Sequence, residues 1–504
     1  MFQQSLTCAA LSFLKESALN SSVYRIILMV AAWLSSVFEK SIVRNWVVGN
    51  MGVSGMYSSS LFYAAMQKLV NWFLKLSRSV YVRVSPYFKK SLVNAGAEVF
   101  RSRGWLRFEY LLAVVFALIM IVPHSLWNNI YAVAGAFALA MVYYVRCLDG
   151  KKLGTNVKAV PVSLVAFIVA IIASIVISPT KADSVKVSLF FFSSVGFALL
   201  IGGGIDGEKE LKTLVTVIIS AMFLMCLYAI YQNFMGVEVD ILLTDVATNE
   251  GMPGRVYSTF ENPNCFAQAI VLVLPFMYAM FICSERRNIK LAFGGVFVIC
   301  FAALAMTYSR SCYISFAIAT VVFAALYNWK LLIPLGILVI VAIPFLPETI
   351  LNRILTIGSM EDTSNAYRIY LWEGTLKMLR SVGWGGIGIG PGAFAHVYPE
   401  FASPLADKAP HCHMLYMELL VEIGIVGALG FLAYMGSVIK KGLRTYSSAS
   451  KTLRCMIIAA ISSLAGISFA ACAEYIWFYP RVMFVFWAIV GLLIAAVRCA
   501  RKKA

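Results

Sequence analysis

Charge is scarce in this chain. Asp, Glu, Lys and Arg make up 13% of 504 residues, against 61% apolar ones, and the mean hydropathy is +0.82. That balance excludes a soluble globule. Histidine is also rare, with four in the whole chain. The eleven cysteines include no C-x-x-C pair. Most of them, such as Cys226, Cys300 and Cys472, sit in apolar runs, as small buried hydrophobes rather than disulfide partners or metal ligands. Residues 1–25 lack the basic stretch, apolar core and cleavage site of a secretory signal.

What the chain has in abundance is long apolar segments. They predict an all-α integral membrane protein, one helix bundle with about twelve spans across a ~30 Å hydrocarbon layer. The segments lie near 109–123, 128–146, 159–178, 185–204, 213–234, 262–283, 291–308, 311–328, 331–346, 413–439, 455–474 and 480–498. As one helix, Leu291 to Trp329 would run about 58 Å at ~1.5 Å per residue, so it must fold back, and its lone charge, Arg310, marks the bend. Residues 1–107 differ from the rest. Basic and aromatic residues interleave without a long apolar run, and we expect a basic, amphipathic extension of interfacial helices on the cytoplasmic surface, with spans near 22–38 and 55–75 as the alternative.

The net charge of +18 comes from short clusters between apolar runs, which fits topology signals and anionic lipid better than nucleic acid. Taking the basic loops 146–158, 284–290 and 440–454 and the tail from Arg498 as cytoplasmic puts both termini inside. The longest outer connection is then the external loop 347–412. On the outer face arginine needs a reason. Arg255, Arg310 and Arg368 stand in polar, motif-like settings, whereas Arg353, Arg380 and Arg481 read as surface or headgroup contacts. A planar guanidinium near membrane depth finds one of its best partners in a diphosphate. Where the long loop re-enters the bilayer stand His411 and His413, imidazoles able to accept a hydroxyl proton near neutral pH. Glu418 and Glu422 follow on one helical face, and a carboxylate in a spanning helix is a functional candidate.

Five segments carry a resemblance: Arg255 to Asn264, Thr307 to Arg310, Arg368 to Trp372, Gly386 to Phe394, and His413 to Gly427. In order and spacing they resemble the O-antigen ligase/polymerase family of bacterial membrane glycosyltransferases over about residues 250–435. The resemblance implies a glycosyltransferase-C-like bundle in the bacterial cytoplasmic (inner) membrane. It implies ligation or polymerisation of glycan from an undecaprenyl-diphosphate carrier on the outer face, with no metal or other cofactor. The partners would be a polyprenyl-diphosphate-linked glycan donor, a saccharide or lipid-linked acceptor, and the bilayer. Arg255 and Arg310 would hold the diphosphate and His413 would be the base. The family often has asparagine directly after this histidine, where Met414 stands here.

The catalytic candidates are therefore His413 and Glu422, and the substrate-binding candidates Arg255, Arg310, Arg368 and His411. Blander readings stand beside them. Arg255 and Arg310 could pair with Glu261 or Asp240, Arg368 could stack on Trp372, and the H-x-H pair could hold a metal. Gly383 to Gly388 formally fits G-x-G-x-x-G but follows no predicted strand, so a tight turn packing the loop on the bundle is expected. Gly424, Gly427 and Gly430 read as close helix packing. The alternative function is a secondary transporter or permease for a small anion, although residues 108–283 and 291–500 show no internal repeat.

Overall fold

The computed structural model describes Met29 and residues 61–91, 107–149, 160–238, 254–355 and 363–503. The described residues are helical, with no strand among them. The helices are α1 (Leu61–Lys89), α2 (Phe108–Ile121), α3 (Ile130–Asp149), α4 (Val162–Ile177), α5 (Lys181–Gly204), α6 (Glu208–Met235), α7 (Pro263–Cys283) and α8 (Arg287–Met306). They continue with α9 (Arg310–Asn328), α10 (Leu332–Ala342), α11 (Glu348–Leu355), α12 (Thr363–Val382), α13 (Pro391–Val397), α14 (Leu415–Thr445), α15 (Lys451–Ala470) and α16 (Pro480–Lys503). Of residues 1–107, the expected interfacial extension, only Met29, α1 with the two residues after it, and Arg107 are among the described residues.

Among the described residues, nine helices are long and apolar enough to cross a membrane. The remaining expected spans differ for identifiable reasons. α2 and α4 have 14 and 16 residues, fewer than the ~20 a span usually takes. The segment at 331–346 continues α9 through a 3-10 turn at Trp329–Leu331, with Asn328 accepting the Lys330 N–H. The break expected at Arg310 is present. α8 ends at Met306, and Thr307 to Ser309 turn the chain, with Tyr308 at φ 49°.

The centre is formed by α7, α15 and α16, which are apolar on nearly every face and accordingly buried. Small residues set the approach of their neighbours. A Cβ at Gly466 would stand 2.5 Å from the Ser315 carbonyl of α9, and one at Gly491 would stand 2.7 Å from the Ala198 carbonyl of α5. Gly427 and Gly430 do the same for α14 on α4, the close packing expected of them. Gly424 does something else. It breaks α14 with φ 69°, ψ 178°, and a Cβ there would lie 2.5 Å from the Gly385 carbonyl. The glycine run is thus a turn seated on the broken helix, pinned by Ile387 N–H to Val421 O at 2.8 Å and Ile425 N–H to Trp384 O at 2.9 Å.

Arg481 corrects an expectation. It is no surface contact: it is 3% exposed, and its guanidinium donates to Ile119 O, Met120 O, Val122 O and Thr259 O at 2.7–2.9 Å. Three of these carbonyls belong to the last turn and exit of α2, where a helix leaves its acceptors unpaired. The rings of Phe260 and Trp127 cover the cation at 4.5 and 4.9 Å. Arg380 is exposed, as a surface residue should be.

Candidate active site

Each arm of the site begins with a local backbone rule. Asn262 caps α7 by accepting the Asn264 N–H at 2.8 Å, and Pro263 occupies the first helical position. That cap holds Asn264 in place, and its Oδ1 accepts from Arg255 Nη2 at 2.6 Å. Arg255 Nε donates to Thr307 O at 2.8 Å, so the guanidinium ties the loop before α7 to the break between α8 and α9. Glu261, one expected alternative partner, is exposed and makes neither of these bonds, and Asp240, the other, lies outside the described residues. Burial is the main cause that brings Arg255 down to about 10, while Glu474 acts in the opposite direction.

Arg310 opens α9. A cation at the positive end of a helix dipole gains nothing from that dipole, and the adjacent Arg255 adds like charge. An anion is the group that both features would receive. Arg353, expected at the surface, is 6% exposed and donates from Nε to Tyr308 O at 3.2 Å. That correction has a simple cause: the α11 helix packs its arginine onto the strained Tyr308 turn, whose carbonyl needs a donor.

From the far side, α12 presents Arg368 and the loop before α14 presents the histidines. Arg368 does not stack on Trp372. Its Nη2 meets Glu474 Oε1 at 2.6 Å and its Nη1 meets Ser364 Oγ at 2.8 Å, while Trp372 donates to Cys412 O at 3.0 Å. His413 has φ 53°, a costly conformation for a residue with a Cβ. It is held by its own N–H donating to His411 Nδ1 at 3.1 Å. His411 is buried among Phe478, Tyr475 and the His413 ring. Burial, helped by the nearby His413 and Arg368, lowers it to about 3, so it stays neutral and remains an acceptor.

Glu474 joins the arms. It lies between α15 and α16, with Oε1 on Arg368, Asn264 Nδ2 at 3.4 Å, and Oε2 3.7 Å from His413 Nδ1. Burial pushes its carboxyl up, but Arg368 and the two histidines outweigh this and hold it at about 2. In the sequence Glu474 stands at the end of an apolar run, and it is not among the expected site residues. A lone carboxylate at the border of a spanning helix was the available signal.

All these groups line one cavity of about 350 Å³. Arg255, Arg310, Arg368, His411 and His413 are brought together there, joined by Arg353 and Glu474. Four guanidinium groups thus face a single carboxylate among the lining residues. Gln268 Oε1, Ser309 Oγ and Arg368 Nε, all on lining residues, have no hydrogen-bond partner among the described residues. Tyr475, Phe478 and Phe469 give the wall an apolar, aromatic part. Among the described residues, two of the three non-glycine residues with positive φ, Tyr308 and His413, line the cavity, and the third, Ser258, lies in the Arg255 loop.

Glu422 is not in the lining. Its carboxylate accepts the Gly390 N–H and the Tyr475 hydroxyl, both at 2.9 Å, and so joins the glycine turn to a residue of the cavity wall. Glu418 is fully buried and accepts the Cys412 N–H at 2.6 Å. Glu418 therefore fixes the backbone between the two histidines, and Glu422 fixes the glycine turn.

No curated protein matches the chain. A family model described as O-Antigen ligase matches residues 295–432. The matched segment holds Arg310, Arg368, His411, His413 and Glu422, and leaves Arg255 and Glu474 on its two flanks. Residues 295–432 of this multi-span chain, helical throughout its described secondary structure, are thus similar to the O-antigen ligase family that the motifs indicate.

Proposed function

We propose that the chain is a membrane glycosyltransferase that moves a glycan from undecaprenyl diphosphate to an acceptor hydroxyl, as an O-antigen ligase or a polysaccharide polymerase. The observation that carries this reading is the cavity itself, where four guanidinium groups and two imidazoles converge on a space with one carboxylate among its described lining residues. In this reading the cavity opens at the outer face of the bacterial inner membrane, the loop 347–412 is external, and both termini are cytoplasmic.

The donor diphosphate sits against Arg255 and Arg310, whose charge matches the two phosphates and stabilises them as the leaving group departs. His413 acts on the acceptor. The Nδ1 edge turned toward Glu474 leaves Nε2 to take the proton. The acceptor oxygen forms a bond to the anomeric carbon as the bond from that carbon to the diphosphate oxygen breaks. The electron pair leaves on undecaprenyl diphosphate, and the hydroxyl proton goes to His413. Arg368 acts on Glu474, fixing the carboxylate that orients the imidazole and stabilises its protonated form. Glu422 is a positioning residue, acting through Tyr475 and Gly390. The arginines supply the positive charge, so the scheme needs no metal, and transfer should persist in EDTA.

The test is transfer by the purified chain in proteoliposomes, supplied with undecaprenyl-diphosphate-linked glycan and a saccharide or lipid-linked acceptor. Product formed by wild type and lowered about 10²–10³-fold by Arg310→Ala, with the variant still inserted, is expected. Full activity in that variant would remove the donor-site assignment, and solute uptake without glycan product would favour a transporter. Lengthened lipid-linked glycan identifies a polymerase, and glycan on a new acceptor a ligase.

A further inference from the structure

Outside the cavity, the most unusual surface belongs to α1. Its 29 residues contain five cations, Lys68, Lys75, Arg78, Arg83 and Lys89, and no acid. The helix has three separate faces. Met66, Val70, Leu74, Ser77 and Tyr81 recur at helical spacing on the half-buried side. That side is held to the end of α3 by the Tyr81 hydroxyl on Asp149 at 2.9 Å. A second stripe of Leu69, Trp72, Phe73, Leu76, Val80 and Tyr87 is exposed, each residue by 48–80%. On the third side a groove of about 510 Å³ opens between α1 and Leu148, lined by Lys75, Arg78 and Arg83 and, among the described residues, by no carboxylate.

We propose that α1 lies in the plane of the bilayer and that Lys75, Arg78 and Arg83 bind the headgroups of anionic phospholipids. A helix of this length would measure about 43 Å at ~1.5 Å per residue, longer than the hydrocarbon layer. Its cations are distributed along its length, where a spanning orientation would carry them into hydrocarbon. Lying flat, the Trp72 stripe enters the acyl boundary while the cations stay at headgroup level. The absence of acid along the whole helix removes any repulsion of lipid phosphate. The proposal is independent of the glycan chemistry, because none of these residues touches the cavity.

The test uses the full chain in detergent, with native mass spectrometry in equal phosphatidylglycerol and phosphatidylcholine of the same acyl chains. Wild type should retain phosphatidylglycerol at least about tenfold over phosphatidylcholine, since each headgroup contact is charge-assisted. The Lys75→Gln/Arg78→Gln/Arg83→Gln variant should lose that preference, and Arg286→Gln/Arg287→Gln/Lys290→Gln should keep it. Unchanged preference in the first variant overturns the proposal, and so does displacement of the lipid by millimolar inorganic phosphate, which would mark a soluble-anion site. If the first variant fails to fold, hydrogen exchange of wild type in nanodiscs decides. Slower exchange across 61–89 with phosphatidylglycerol than with phosphatidylcholine alone supports the site, and identical exchange refutes it.

Discussion

Arg481 and Arg310 both begin a long apolar helix, and they do opposite things there. Arg481 spends its guanidinium on four carbonyls and two aromatic rings, which closes the end of α2 against the loop before α7. Arg310 faces a cavity that it shares with three more guanidinium groups. An arginine at membrane depth always needs a partner. In the proposed reading the partner's identity, and not the arginine's position along a span, separates a structural clasp from a ligand site.

That contrast can be broken at several points. The largest effect is expected for His413→Ala, which should lower transfer by about 10²–10⁴-fold with folding preserved, the usual worth of a positioned proton acceptor. Turnover rates on reconstituted protein measure this. Arg481→Ala should show the reverse pattern. Charged hydrogen bonds contribute roughly 1.5–3 kcal/mol each, so losing four should lower the melting temperature sharply, while each folded molecule keeps its activity. Arg310→Ala should cost about 10²–10³-fold in transfer, the range for removing one charge-stabilising donor, with a nearly unchanged melting curve. If Arg310→Ala unfolds the chain and Arg481→Ala abolishes transfer without unfolding it, the two assignments are exchanged.

Smaller effects sharpen the picture. Glu474→Gln keeps the shape but removes the charge that stabilises a protonated His413. The rate should fall about tenfold or more. An unchanged rate would leave Glu474 with a purely structural role. The smallest expected effect concerns pH and stability. His411 is held at about 3 against an ordinary 6.5, so the unfolded chain binds its proton first as pH falls. Stability should therefore decline from about pH 6.5 downward. Glu474, held at about 2 against an ordinary 4.5, acts in the same direction at lower pH: its contribution is complete above 4.5 and fades toward 2. Denaturation midpoints between pH 7 and 5 should fall less in His411→Gln than in wild type.

Much of the helical plan could be read from the residues because apolar length and turn chemistry are local. The α7 start at Asn262-Pro263, the break before Arg310 and the glycine turn all follow from rules acting within a few residues. The glycine series in α14 was half legible. Gly427 and Gly430 pack closely, but the break at Gly424 exists only because the 383–390 turn must reach that backbone. The convergence of Arg255, Arg310, Arg368 and His413 was expected from side and motif order. Their bonding was not. Glu474 lies 106 positions from the arginine it pairs with, and no local pattern relates the two. Arg353 and Arg481 were read as surface residues for the same reason, since carbonyls left over at Tyr308 and at the end of α2 are visible only once the chain is folded.

The central claim is that the Arg255 and Arg310 side of the cavity receives a lipid diphosphate. Its most direct measurement is equilibrium binding of undecaprenyl diphosphate to the full chain in nanodiscs, alongside Arg310→Gln and Arg481→Lys variants. The account predicts that Arg310→Gln weakens binding at least about tenfold, the loss of one charge-assisted contact, while folded Arg481→Lys binds as wild type does. Equal affinity in wild type and Arg310→Gln would contradict it.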